Sequence, residues 1–215
     1  MKRFRILFYI PAKDGHYIDN AIGTWTRLWN LDAPKELICS HEEIWLPNEN
    51  GHFYTIEKLG WPDTYTYLGE CWTSTMGQLG GKDRTGSGVR KAPASEILKH
   101  PERWFYCEFE VPDASYKAML WEMEDELLHN QGYDTAMVLN FFLPLGIGAK
   151  DKFICSEFTN YMAKIALRGR TNHKQYEAIV STLKDTLSPL RSAWTLARQG
   201  IVMYNLDGSI RYSLE

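Results

Sequence analysis

Residues 38–47 read ICSHEEIWLP, and the rest of the chain is arranged around this stretch. Apolar and β-branched residues flank two adjacent glutamates and Pro47 ends the run, so it reads as a strand, and a central one. Side chains two residues apart share one face of a strand. His41 and Glu43 therefore point one way, and Glu42 and Ile44 the other. A carboxylate beside an imidazole fixes its tautomer and stabilises its charged form. A strand edge with ordinary surface charges accounts for the same residues when they are taken alone.

Working outward, RFRILFYIP (3–11) is a strand that stops at Pro11. YIDNAIGTWTRLWN (17–30) sets Ile18, Ala21, Ile22, Trp25 and Leu28 on one helical face. After Pro47, PNENG gives a turn and HFYTIEKLG (52–60) returns as a second strand. TYTYLGECWTST (64–75) is a third strand. MGQLGGKDRTGSG (76–88) holds five glycines and reads as a flexible loop; it lacks the GxxxxGK[ST] spacing of a phosphate-binding loop. RWFYCEFEVP (103–112) alternates as a strand, and 113–132 is a helix with Asp113 as N-cap and Gly132 as its stop. Helices follow around 134–143, 156–168 and 173–186. Ser188-Pro189 starts a short helix over 188–200. Residues 201–215 form a terminal hairpin turning at Asp207-Gly208. With no repeat or linker in view, this order predicts a single α+β domain over 1–215.

Composition narrows the function classes. Hydrophobic residues make up 44% and charged residues 24%, which suits a globular protein with a proper core. A net charge of −3 provides no cationic field for nucleic acid or an anionic membrane. No run approaches the ~20 apolar residues of a membrane span, and residues 4–11 are too short for a secretory signal. A cytoplasmic compartment is expected, that of the host if the origin is viral. Cys39, Cys71, Cys107 and Cys155 are scattered without a CxxC pair, so reduced thiols and no metal or other cofactor are expected.

Cys155 stands apart from the other cysteines. It sits in DKFICSEFTNYMAKIA (151–166), between an apolar run and a segment with Phe158, Met162, Ile165 and Ala166 on one helical side. That places the thiol in the first turn of a helix, where the positive helix end lowers its pKa and free N–H groups can receive an oxyanion. A small apolar residue in the core is the plainer reading of the same pattern. A partner base has to come from six histidines. His52 follows a turn, His100 precedes Pro101, and His129 and His173 fall on helix surfaces. Of the six, which also include His16, His41 stands out because SHEEIWLP puts it at the start of the strand read as central.

Taken in order, these segments resemble the circularly permuted branch of the NlpC-type, papain-like cysteine amidases and peptidases, which includes YiiX-like and phage proteins. SHEEIWL (40–46) is similar to that branch's S-H-x-E strand, and FICSEF (153–158) to its later C-S-E helix start. CWTST…KDRTGSGVRKAP, HPERWFYCEFEV, YDTAMVLNFFLPLGIGAKDKF and LSPLRSAW follow the branch's order, so the resemblance spans about residues 3–199. It implies a permuted papain-like fold, with an antiparallel sheet or small barrel packed against helices. It also implies Cys155 as nucleophile, His41 as base and the backbone N–H groups of Cys155 and Ser156 as oxyanion donors.

Residues 47–70 exceed the family's spacing, which points to an inserted hairpin and leaves the third catalytic residue open among Glu43, Glu57, Glu70, Thr73 and Ser74. Glu43 is favoured because it shares a face with His41; Glu157 reads as a structural hydrogen-bonding partner. The expected substrate is a peptide, isopeptide or lipid ester, with no metal needed and no oligomeric state specified. Two rivals share the fold: an inactive papain-like module that binds a host or virion protein, and an acyltransferase.

Overall fold

The computed structural model describes residues 1–11, 17–28, 30–55, 66–75, 87–129, 132–134, 153–168, 174–184 and 187–214. Its strands are β1 (Lys2–Tyr9), β2 (His41–Leu46), β3 (Tyr54–Thr55), β4 (Thr66–Tyr67), β5 (Glu70–Thr75), β6 (Gly88–Pro93), β7 (Trp104–Val111), β8 (Met203–Asn205) and β9 (Ile210–Tyr212). The helices are α1 (Tyr17–Leu28), α2 (Ala94–Ile97), α3 (Asp113–Leu128), α4 (Cys155–Arg168), α5 (Lys174–Thr182) and α6 (Pro189–Arg198). Seven strands form one open antiparallel sheet in the order β6-β5-β2-β1-β7-β8-β9, and β3 pairs with β4 alone. The class is therefore α+β.

β1 and β2 are buried on both faces because the sheet is covered on both sides. On the helix face, Phe4, Ile6 and Phe8 align with Phe109, Cys107 and Phe105 across β7. They pack with Ile44, Leu46 and Trp72 against Phe158, Met162 and Ala166 of α4 and Leu190 and Leu196 of α6. On the opposite face, Leu7, Trp45, Cys71, Trp104 and Tyr106 pack against Phe53, Tyr67, Ala94 and Leu98. Burying each large apolar side chain contributes about 1.5–3 kcal/mol, so both layers hold β2 in place.

Several sequence expectations change. β2 pairs with β1 and β5, and none of the described residues of 52–55 pairs with it. Instead β3 and β4 fold over the Trp45 face, where the Trp45 indole donates to Leu68 O at 2.9 Å. The third strand expected over 64–75 is split at Gly69. Its φ of +99° belongs to the region that favours glycine, and a Cβ there would lie 1.9 Å from Leu46 O. Pro112, not Asp113, holds the N-cap position of α3; Asp113 opens the helix and pairs with Lys117 at 2.7 Å. That helix ends at Leu128, with His129 as C-cap, before Gly132. Leu28, expected on the buried face of α1, is exposed. The expected helix at 134–143 and most of the glycine loop lie outside the described residues. At the C-terminus, Ser188 caps α6 by accepting from the Arg191 N–H, and β8–β9 turn through Gly208 at φ +84°.

Candidate active site

β2 and α4 bring the two decisive side chains together. α4 begins at Cys155 because the apolar pair Phe153–Ile154 enters the core and the helix ladder opens with Phe158 N–H to Ile154 O at 3.0 Å. Helix α4 packs across β2 and sets the Cys155 thiol beside the His41 imidazole, close enough for each to shift the titration of the other. On the other side of the ring, His41 Nε2 lies 3.2 Å from Glu43 Oε1. Glu43 thus engages Nε2, which leaves Nδ1 as the ring's other hydrogen-bonding atom. The edge of Trp104 flanks the ring at 6.5 Å between centroids.

A fourth residue completes the row. Arg90 of β6, in register with Thr73 of β5, reaches Glu43 and donates to Oε1, the oxygen that His41 also uses. The chain thus runs Arg90–Glu43–His41–Cys155 through a site where Glu43 is 1% and His41 8% exposed. Thr73 donates to Glu42 O at 2.7 Å and Ser74 to Phe153 O at 2.8 Å, so β5 braces the backbone on both sides of the pair.

Electrostatics follow the contacts. Burial pushes the Cys155 thiol up, but the His41 charge and hydrogen bond outweigh it, helped by the N–H groups of Glu42 and Ser156 aimed at the sulfur, and the net shift is down. Burial likewise pushes His41 down, yet Cys155 and then Glu43 carry it up to about 10. Glu43 is pushed up by burial and pulled below its ordinary value by Arg90 and His41. The two shifts support each other: the His41 charge pulls the Cys155 thiol down, and the Cys155 charge holds the His41 proton, with Glu43 and Arg90 behind them. The other three cysteines behave in the opposite way: burial raises Cys39, Cys71 and Cys107, and each is 0% exposed, whereas Cys155 keeps 4%.

The remaining candidates for the third position are placed elsewhere. Glu70 is half-exposed and pairs with Lys91 at 3.3 Å; Thr73 and Ser74 spend their hydroxyls on backbone carbonyls; Glu57 lies outside the described residues. Ser156 turns its N–H to the Cys155 sulfur, and Glu157 sits half-buried in the first turn of α4. His52, His100 and His129 are on the surface, away from this row; His16 and His173 lie outside the described residues. Sequence reasoning did not assign Arg90, although GVRK in the segment after the glycines carried it. An arginine in the middle of a short strand-like run after the glycines was the available signal.

The chain matches no family model, no curated protein and no solved structure. Among the described residues no helix is long and apolar enough to cross a membrane, and no three His, Cys, Asp or Glu side chains are grouped to hold a metal. A cavity of about 800 Å³, lined by Arg3, Asn48, Glu70, Glu110 and Tyr116, includes no residue of the Cys155 row.

Proposed function

We propose that the protein is a thiol hydrolase that cleaves an amide or ester bond through Cys155, on a permuted papain-like scaffold. The observation that carries this reading is the contact between Cys155, in the first turn of α4, and a His41 held by Glu43. A thiolate is the nucleophilic form of cysteine, and the imidazolium beside it supplies both the stabilising charge and a proton.

The steps follow from these groups. The Cys155 sulfur attacks the carbonyl carbon, and the oxygen takes up the negative charge. N–H groups of the first turn of α4, which have no acceptor within the helix, are the donors available to it. Collapse breaks the C–N or C–O bond, and His41 passes its proton to the departing amine or alcohol. A thioester remains on Cys155. Neutral His41 then takes a proton from water, the hydroxide adds to the thioester, and collapse releases the acid and restores the thiolate–imidazolium pair. Glu43 keeps Nε2 bonded throughout, and Arg90 keeps Glu43 ionised. Cys155, His41 and Glu43 are buried, Arg90 is half-buried, and Glu43 links Arg90 to His41, which supports catalysis over a purely binding role.

The test is turnover of activated esters and peptide amides by wild type, Cys155→Ala and His41→Ala. Wild type is expected to form a thioester with an activated ester that mass spectrometry locates on Cys155, and both variants are expected to lose it. An acyl adduct on other residues, or equal turnover by all three proteins, refutes the reading. Transfer to added amines or alcohols in preference to water assigns the same site to an acyltransferase.

A further inference from the structure

Glu42 has no role in the steps above, yet it lies against the same pair from the other side of β2. Its side chain is fully buried on the helix face, in a cross-strand row with Phe8 of β1 and Phe105 of β7. Neither carboxyl oxygen accepts a normal hydrogen bond from a described residue. The Ser192 hydroxyl of α6 faces it and interacts weakly, while that oxygen accepts from Asn160 Nδ2 of α4 at 2.9 Å. Among the described residues, the titratable groups facing Glu42 are Cys39 before β2, Cys107 on β7, Cys155 on α4 and His41 beside it. Arg211 of β9 is spent on Glu36 O, on Asn205 and on the Phe105 ring. Arg5 and Arg90 lie on the opposite face, with Glu108 and Glu43. Among the described cations only His41 reaches Glu42, and Cys155 and Glu43 already engage it.

We propose that Glu42 is a protonated, uncharged acid that acts through Cys155: by staying neutral it leaves the sulfur without an anionic neighbour on the helix face, which the thiolate–imidazolium pair of the proposed function requires. The inference rests on that function for its purpose but not for its physical basis. A buried carboxyl without a partner keeps its proton because ionisation there has nothing to offset the loss of hydration. Burial, then the Cys155 charge, hold the Glu42 proton far above the ordinary glutamate value. The coupling is reciprocal, so a charged Glu42 would in turn push the Cys155 thiol up.

The test compares full-length wild type with Glu42→Gln. In the unfolded chain Glu42 ionises near 4.5, whereas in the fold it stays protonated. Its contribution to stability is therefore fully present below 4.5 and is lost as pH rises toward its folded value. The folding constant of Glu42→Gln relative to wild type is expected to climb by about tenfold per pH unit above that point, measured by urea unfolding. The infrared spectrum of wild type at neutral pH is expected to show a protonated carboxyl band that the variant lacks. The pH midpoint of Cys155 alkylation by iodoacetamide is expected to be the same in both. A flat stability ratio, a missing band, or a lower alkylation midpoint in Glu42→Gln overturns the proposal. If the variant does not fold, the band in wild type and its titration in Cys155→Ala decide: loss of the thiolate is expected to lower its midpoint, and an unmoved midpoint refutes the coupling. Slow Cys155 alkylation with a climbing ratio refutes the hydrolase reading alone. A flat ratio with fast alkylation refutes the neutrality of Glu42 alone.

Discussion

Glu42 and Glu43 are adjacent, equally buried and opposite in chemistry. Glu43 projects to the face where Arg90 and His41 meet it, so it stays ionised below its ordinary range. Glu42 projects to the face where Phe8, Phe105 and three thiols surround it, so it keeps its proton. Burial acts on both; the partner available on each side decides the outcome. A central strand covered on both faces can therefore hold a carboxylate and a carboxylic acid one residue apart, and the pair of environments assigns their roles.

The strongest way to break this contrast is to remove the group both sides converge on. His41→Ala is expected to lower turnover by roughly 10²–10⁴-fold, the usual worth of a positioned acid–base. The same change should move the alkylation midpoint of Cys155 up, past its ordinary value, since burial then acts without the His41 charge that holds the thiol down. Next in size is Glu43→Gln. It strands Arg90 without its carboxylate and is expected to cost about 3–5 kcal/mol in urea unfolding at neutral pH. Glu43 has a lowered folded value, so its contribution is fully present above 4.5 and is lost as pH falls from there through the lower folded value; the deficit of the variant should shrink in acid.

Glu42→Gln is expected to do the reverse, with its stability relative to wild type rising by up to about 1.4 kcal/mol per pH unit above 4.5. A destabilised Glu42→Gln beside an unaffected Glu43→Gln would invert the assignment of the two faces. The smallest effect is expected at Glu70→Gln, on the same sheet but half-exposed against Lys91, where unfolding should change by less than about 1 kcal/mol.

Much of this contrast was legible in SHEEI. Strand periodicity alone put His41 with Glu43 and turned Glu42 away. Helical spacing after FIC put Cys155 in a first turn. The pairing of the two segments rested on resemblance, because periodicity carries no information about which helix lies on which strand. The partners of β2 were not legible either. PNENG signals a turn, but the aromatic residues Phe53 and Tyr67 gain more by covering Trp45 than by extending the sheet, and Gly69 admits the bend that returns β5 to β2. Nor was Arg90 assigned, since its role depends on β6 lying two strands from β2. The protonation of Glu42 required knowing that Phe8 and Phe105 flank it, which register alone supplies.

The most direct test of the central claim is the rate of iodoacetamide alkylation at each cysteine of the folded protein, from about pH 4 to about pH 10, a range that spans the ordinary histidine and cysteine values. Cys155 is expected to react fast and almost evenly across neutral pH, with Cys39, Cys71 and Cys107 protected, and to lose that reactivity in His41→Ala. A Cys155 that reacts no faster than the other three, or whose rate ignores the loss of His41, contradicts the account.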